Sequence, residues 1–245
     1  MSDFWLFLIL FFGGAIAGFI NMMAGGGSVL TIGAMILFGI EPTVANATNR
    51  IGVLTGTLSG AAAYKSEKFT DLKTSLLLAA CAIPGAIVGA IYSIRISNEQ
   101  FQRALAIVMI LILISMFLPK HKKSKETKVG RFAIYPSMVA VGFYGGFIQV
   151  GVGLILMAAF RHLMSYDLLR VNMHKVFVVL IYTIPVLVVF GISGKINWVL
   201  AIALSGGNAV GSWISVKLSL RKGGKFVKYV LAVAVAVMAV KFLFF

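Results

Sequence analysis

Carboxylates are scarce in this sequence. Seven Asp and Glu stand against 22 Lys and Arg, and charged residues of both signs make up only 12% of the 245 positions. A water-soluble domain carries about one quarter charged residues, so a surface that faces water all round is excluded. Cysteine is represented by Cys81 alone, which excludes an intramolecular disulfide scaffold and reads as a small core residue. His121, His162 and His174 are scattered, and neither they nor Cys81 have the spacing of a metal-ligand set or an acid/base constellation. No metal, no cofactor and no enzymatic activity are expected.

What the chain does have is apolar length. Sixty per cent of it is apolar, and mean hydropathy is +1.00. Apolar segments run over 4–24, 29–40, 46–64, 73–93, 102–118, 132–150, 154–164, 174–192, 197–216 and 228–245. Most approach the roughly 20 residues of a bilayer-spanning helix, which predicts an all-α polytopic membrane protein. The first run lacks a basic leader, so no cleavable signal peptide is expected. Segments 29–40 and 154–164 are too short to span at about 1.5 Å per residue. Each follows a break, Gly25-Gly26-Gly27 or Gly151-Val152-Gly153. A long helix, a glycine break and a short helix predict a broken or hairpin element near the midplane, tolerated only where it is buried in protein or lines a cavity.

The pattern recurs. Gly14, Gly18 and Asn21 align with Gly142, Gly146 and Gln149 at an offset of 128, and Asn46 to Asn49 align with Asn172 to Lys175 at an offset of 126. Gly85-x-x-x-Gly89 and Gly207-x-x-x-Gly211 close the two series and read as helix-packing motifs. The expected organisation is a first transmembrane repeat at 1–118, a basic cytoplasmic linker at 119–131 and a second transmembrane repeat at 132–245, with about five helical segments per repeat. If the linker is cytoplasmic, alternation puts 65–73, 161–175 and 217–228 on the same side. Those four stretches hold seventeen of the 22 Lys and Arg, as the positive-inside rule requires. An odd number of segments per repeat inverts the second relative to the first and puts both termini outside. The net charge of +15 is thus a topology signal, and no nucleic-acid partner is expected. Inverted repeats with broken helices are a recurring architecture of secondary transporters, with the substrate between the repeats and access alternating across them.

Polar groups at membrane depth are functional candidates. They are Asn21 and Gln149 before the breaks, Gly25, Gly26, Gly27, Ser28 and Gly153 within them, Asn46, Thr48, Asn49 and Arg50, and, at the matching positions, Asn172, His174 and Lys175. Asn208 lies among the small residues of the penultimate segment. Asp3, Glu41, Glu67, Asp71, Glu99, Glu126 and Asp167 all fall at segment ends or in loops, so a carboxylate cation site is poorly supported. The candidate charges are positive, and helix N-termini favour anions. The constellation suits a small anion.

The stretch Gly18-x-x-Asn21-x-x-x-Gly25-Gly26-Gly27-Ser28, followed by Gly39-Ile40-Glu41-Pro42-x-x-Ala45-Asn46-Ala47-Thr48-Asn49, resembles the sulfite exporter TauE/SafE family, with a degenerate copy in the second half. The resemblance implies inverted repeats and transport of sulfite, sulfonates or related anions across the cytoplasmic membrane. The second copy lacks the triple glycine and has His174-Lys175 where the first has Thr48-Asn49. Partners are then a small anionic substrate and the lipid bilayer, with a homodimer left open. Competing readings are a proton- or cation-linked carrier of another solute, in which His174 would titrate, and an intramembrane enzyme.

Overall fold

The computed structural model describes residues 3–117, 128–164 and 166–244. Of the linker expected at 119–131, positions 119–127 lie outside the described residues, His121 and Lys122 among them. The described chain is built of α-helices: α1 (Asp3–Met23), α2 (Ser28–Leu37), α3 (Pro42–Ser66), α4 (Leu72–Arg95), α5 (Asn98–Phe117), α6 (Lys128–Phe147), α7 (Val152–Leu163), α8 (Leu168–Ile192) and α9 (Trp198–Phe244). Gly223, at φ 75° and ψ −177°, interrupts α9. The helices α4 and α8 and the first part of α9, Trp198–Gly223, are long and apolar enough to cross a membrane. Large apolar side chains such as Leu37, Ile192 and Val199 are exposed on the outside of the bundle, where a bilayer and not water is the compatible solvent. The protein is an all-α polytopic membrane protein.

Helix starts follow capping chemistry and not the apolar runs. Pro42 opens α3 after Glu41, the position where its missing N–H costs nothing. Asp71 Oδ1 accepts the Thr74 N–H, Asp167 Oδ1 accepts those of Leu169 and Arg170, and Asn197 Oδ1 accepts that of Leu200. The third and eighth helices therefore begin several residues before the apolar runs at 46 and 174. Asn46 to Arg50 and Asn172 to Lys175 sit one to two turns inside. The loop expected at 217–228 is likewise helical except at Gly223, because hydropathy marks the apolar part of a helix and not its ends.

Helix lengths recur along the chain. α1 and α6 have 21 and 20 residues, α2 and α7 have 10 and 12, and α3 and α8 have 25 each. Glycines bring α1 against α9 and α4 against α6. A Cβ on Gly207 or Gly211 would come within 1.9 Å of the Phe11 or Ala15 carbonyl oxygen, and one on Gly85 or Gly146 within 2.0 Å of that of Val139 or Ala86. These are backbone contacts that no larger residue permits, as the small-xxx-small spacing predicts.

Cross-links define the two ends of the bundle. At one, Lys217 donates to Glu67 at 2.5 Å, holding that carboxyl below its usual range, and His174 Nε2 lies 3.9 Å from Asp71 Oδ2. At the other, Asn98 joins Glu41 and Thr43, and the Asn197 N–H donates to Thr48 Oγ1. Lys65, Lys73, Arg170, Lys217 and Arg221 cluster by connectivity at the first end, and Arg95 and Lys195 at the second.

Candidate functional site

The two glycine breaks meet. Gly25 has φ +78°, and a Cβ there would come within 2.4 Å of Gly153 Cα; one on Gly153 would come within 2.3 Å of Gly25 Cα. Both the left-handed backbone and the close approach require glycine at Gly25. Gly27 is pressed on the Ala17 carbonyl, where a Cβ would be 2.0 Å away. At Ser28 the backbone N–H donates to Asn21 Oδ1 at 3.2 Å, so Asn21 serves the start of α2 from the last turn of α1.

A broken helix in an apolar medium exposes carbonyls at its C-terminal end, and these need donors. Each break receives a cation from the other half of the chain. Arg50, on α3, donates through Nη1 to the Gly145 carbonyl at 2.9 Å and through Nη2 to that of Gly146 at 2.6 Å, both in the last turn of α6. It also donates to Gln149 Oε1 at 3.1 Å, and its Cζ stands 4.9 Å from the centre of the Phe190 ring. Lys175, on α8, donates to the carbonyls of Asn21 at 3.0 Å and Met22 at 2.7 Å, in the last turn of α1. A positive charge at a helix C-terminus is favoured by the macrodipole. The two carbonyl pairs, Asn21–Met22 and Gly145–Gly146, are 124 residues apart, as are the helix ends Met23 and Phe147. This corrects the register read from glycines: Asn21 lies inside α1, whereas Gln149 follows the end of α6. Glycines four apart in both stretches permit a slip of one turn.

Some of the remaining candidates also serve helix ends. Asn46 donates to the Phe147 carbonyl at 3.1 Å and accepts the Gln149 N–H at 3.3 Å, spanning the second break. Asn49 Oδ1 accepts from Thr31 at 2.5 Å. Asn172 Oδ1 accepts from Lys175 at 2.9 Å, while its Nδ2, like Asn49 Nδ2 and Arg50 Nε, is buried without a hydrogen-bond partner among the described residues. Thr48 and His174 sit 126 residues apart on α3 and α8, and each contacts the capping residue of a helix in the other half of the chain, Asn197 or Asp71. His174 Nδ1 is 2.9 Å from Ser75 Oγ, and its ring stacks on Tyr166 with centroids 5.0 Å apart.

A cavity of about 30 Å³ lies where the breaks cross, room for one or two waters. Of the residues singled out in the sequence, Asn21, Gly25, Gln149, Gly153 and Lys175 line it. Gly26, Ser28, Asn46, Thr48, Asn49, Arg50, Asn172 and His174 are placed behind its wall or at the bundle ends, and Gly27 against α1. Asn208 completes the wall, with Thr57 and Ser212. The last two carried no sequence signal, because hydroxyls in membrane helices ordinarily bond back to their own backbone, and Thr57 Oγ1 does so to Val53 at 2.7 Å. Lys175 lines this cavity, and among the described residues no Asp or Glu lines it and no carboxylate is buried.

The family model of the sulfite exporter TauE/SafE family matches residues 10–242. The chain belongs to this family. Membership makes it a membrane transporter of the TauE/SafE class, and curated relatives carry the same general description. It is 30% identical over 240 residues to the probable membrane transporter protein YfcA of Escherichia coli K12, covering 96% of this chain and 89% of that protein. It is 27% identical over 243 residues to the probable membrane transporter protein ORF9 of Sinorhizobium sp, covering 98% and 93%. A probable membrane transporter protein of Haemophilus influenzae is 24% identical over 242 residues, covering 98% and 95%. No solved structure matches the chain significantly.

Proposed function

We propose that this TauE/SafE transporter carries a small anion, sulfite or an organosulfonate, through the cavity at the crossed breaks, by alternating access between two inverted repeats in the cytoplasmic membrane. The observation that carries the reading is a lysine ammonium at the cavity wall with no carboxylate among the described residues that line it. A cation at membrane depth costs about 2.5–3.5 kcal/mol on insertion scales, and the carbonyls around Lys175 offset that only with partial charges. An anion supplies a full one. Arg50 adds a second positive charge close behind, through the Gln149 side chain that both touches Arg50 and lines the cavity. The amides of Asn21 and Asn208 and the Ser212 hydroxyl are suited to orienting oxyanion oxygens. The family description contributes sulfite. The excess of Lys and Arg at one end supports placing that end in the cytoplasm, with the termini outside.

The test is counterflow in proteoliposomes, with labelled sulfite outside and a panel of unlabelled anions inside. Saturable uptake driven by internal sulfite or a sulfonate is the expected result, with uptake reduced about tenfold or more in Lys175→Met, the effect of removing a charge-assisted contact. Absence of exchange with every anion, in protein that elutes as a folded species, would overturn the anion reading.

A further inference from the structure

Arg50 and Lys175 are matched in role but not in position. Both ties bind a helix end across the chain, yet only Lys175 also forms part of the cavity wall. An ammonium has three N–H groups. Those of Lys175 are matched by the carbonyls of Asn21 and Met22 and by Asn172 Oδ1, all within 3.0 Å. Its donor capacity is full. An anion entering the cavity can take an N–H from Lys175 only by displacing one of these three oxygens.

The three are not equivalent. Asn172 sits three residues away on the same helix, so losing it moves no element. The two carbonyls are the end of α1, a different element. The bonds to the carbonyls are already charge-assisted on the lysine side, but an oxyanion adds a full opposite charge where a carbonyl has only a partial one, so it outcompetes a peptide carbonyl for the ammonium. At the other break the guanidinium fork stays on Gly145 and Gly146, away from the cavity lining.

Building on the anion reading, we infer that Lys175 is an exchangeable clamp: the substrate displaces the α1 carbonyls from its ammonium, so that filling the cavity frees the end of α1 while Arg50 keeps the end of α6 fixed. Substrate binding is thereby converted into motion at one break and not the other. The freed amides are identifiable, because Ala24 and Gly25 donate to Ile20 and Asn21, and Ser28 donates to the Asn21 side chain.

The experiment is hydrogen exchange by mass spectrometry on the full chain in nanodiscs, with saturating sulfite against chloride, beside a binding measurement with labelled sulfite. Exchange over 20–30 is expected to accelerate about tenfold with sulfite, as for loss of a charge-assisted bond, and exchange over 145–155 to stay unchanged. In Lys175→Met the amides over 20–30 are expected to exchange fast with or without sulfite. If wild type binds neither sulfite nor methanesulfonate run beside it, the anion reading itself fails, and whichever of the two it binds is the anion used for the exchange arms. If wild type binds that anion while exchange over 20–30 is unchanged or slowed, or rises equally at both breaks, the clamp is wrong and the anion reading stands. The wild-type arms decide the matter even if Lys175→Met does not fold.

Discussion

Arginine and lysine at the two breaks are not interchangeable, and their difference follows from shape. Arg50 reaches two successive carbonyls and Gln149 with a planar fork, whereas an ammonium is a compact point charge. Removing the fork in Arg50→Met leaves the oxygens of Gly145 and Gly146 unpaired in the core, at about 1–3 kcal/mol for each unsatisfied group. A melting temperature in detergent lower by about 5 °C or more is expected, with Arg50→Lys falling between it and wild type. Equal melting of Arg50→Met and wild type would show that the helix end of α6 does not depend on this residue. Such duties were only half legible in the sequence. That Asn21, Asn46, Arg50 and Lys175 matter can be read from their cost at membrane depth. That they act on the ends of helices far along the chain cannot, because the recipients are backbone carbonyls, identical at every residue.

At the scale of the elements, the breaks and their short following helices were legible because glycine runs and truncated apolar segments coincide. The pairing of helices was legible only as glycine spacing without a partner. Neighbouring glycines of α9 make the physical basis testable. A Cβ on Gly207 would meet the Phe11 carbonyl oxygen at 1.9 Å, while one on Gly206 would meet only the edge of the Phe11 ring at 3.0 Å. A ring can turn, but a carbonyl in a helix cannot. Gly207→Ala is expected to destabilise by about 1–3 kcal/mol through overpacking, and Gly206→Ala to be nearly neutral or slightly stabilising through helix propensity. Thermal unfolding of the two variants side by side checks this, and equal melting would mean the two helices are not in register as described. Helix ends were the least legible feature. Asp71, Asp167 and Pro42 signal starts by capping, but hydropathy places those starts several residues too late in α3 and α8.

For the whole molecule, the contacts cross between the halves at every level. The first helix packs on the last long one, α4 packs on α6, Arg50 ties α6 and Lys175 ties α1. Neither half is then expected to stand alone. Expressed separately, 1–118 and 132–245 should each be degraded or aggregate, whereas co-expression should give a complex that purifies through a tag on either piece. Stable accumulation of 1–118 by itself would contradict the crossed packing. The positive-inside count adds an expectation for the bundle's ends, since it needs only the order of segments and the placement of Lys and Arg.

The crossing of α1 with α9 also has a consequence in time. α1 leaves the ribosome long before the helix it packs on, with Gly211 nearly two hundred residues behind Ala15. At about 5–20 residues per second, the Gly14–Gly18 face waits roughly 10–40 s in the bilayer before its partner exists. Through that interval the cell must hold an unfinished helix without letting it pair elsewhere, so the speed of translation past α8 is itself a variable in how much of this transporter assembles.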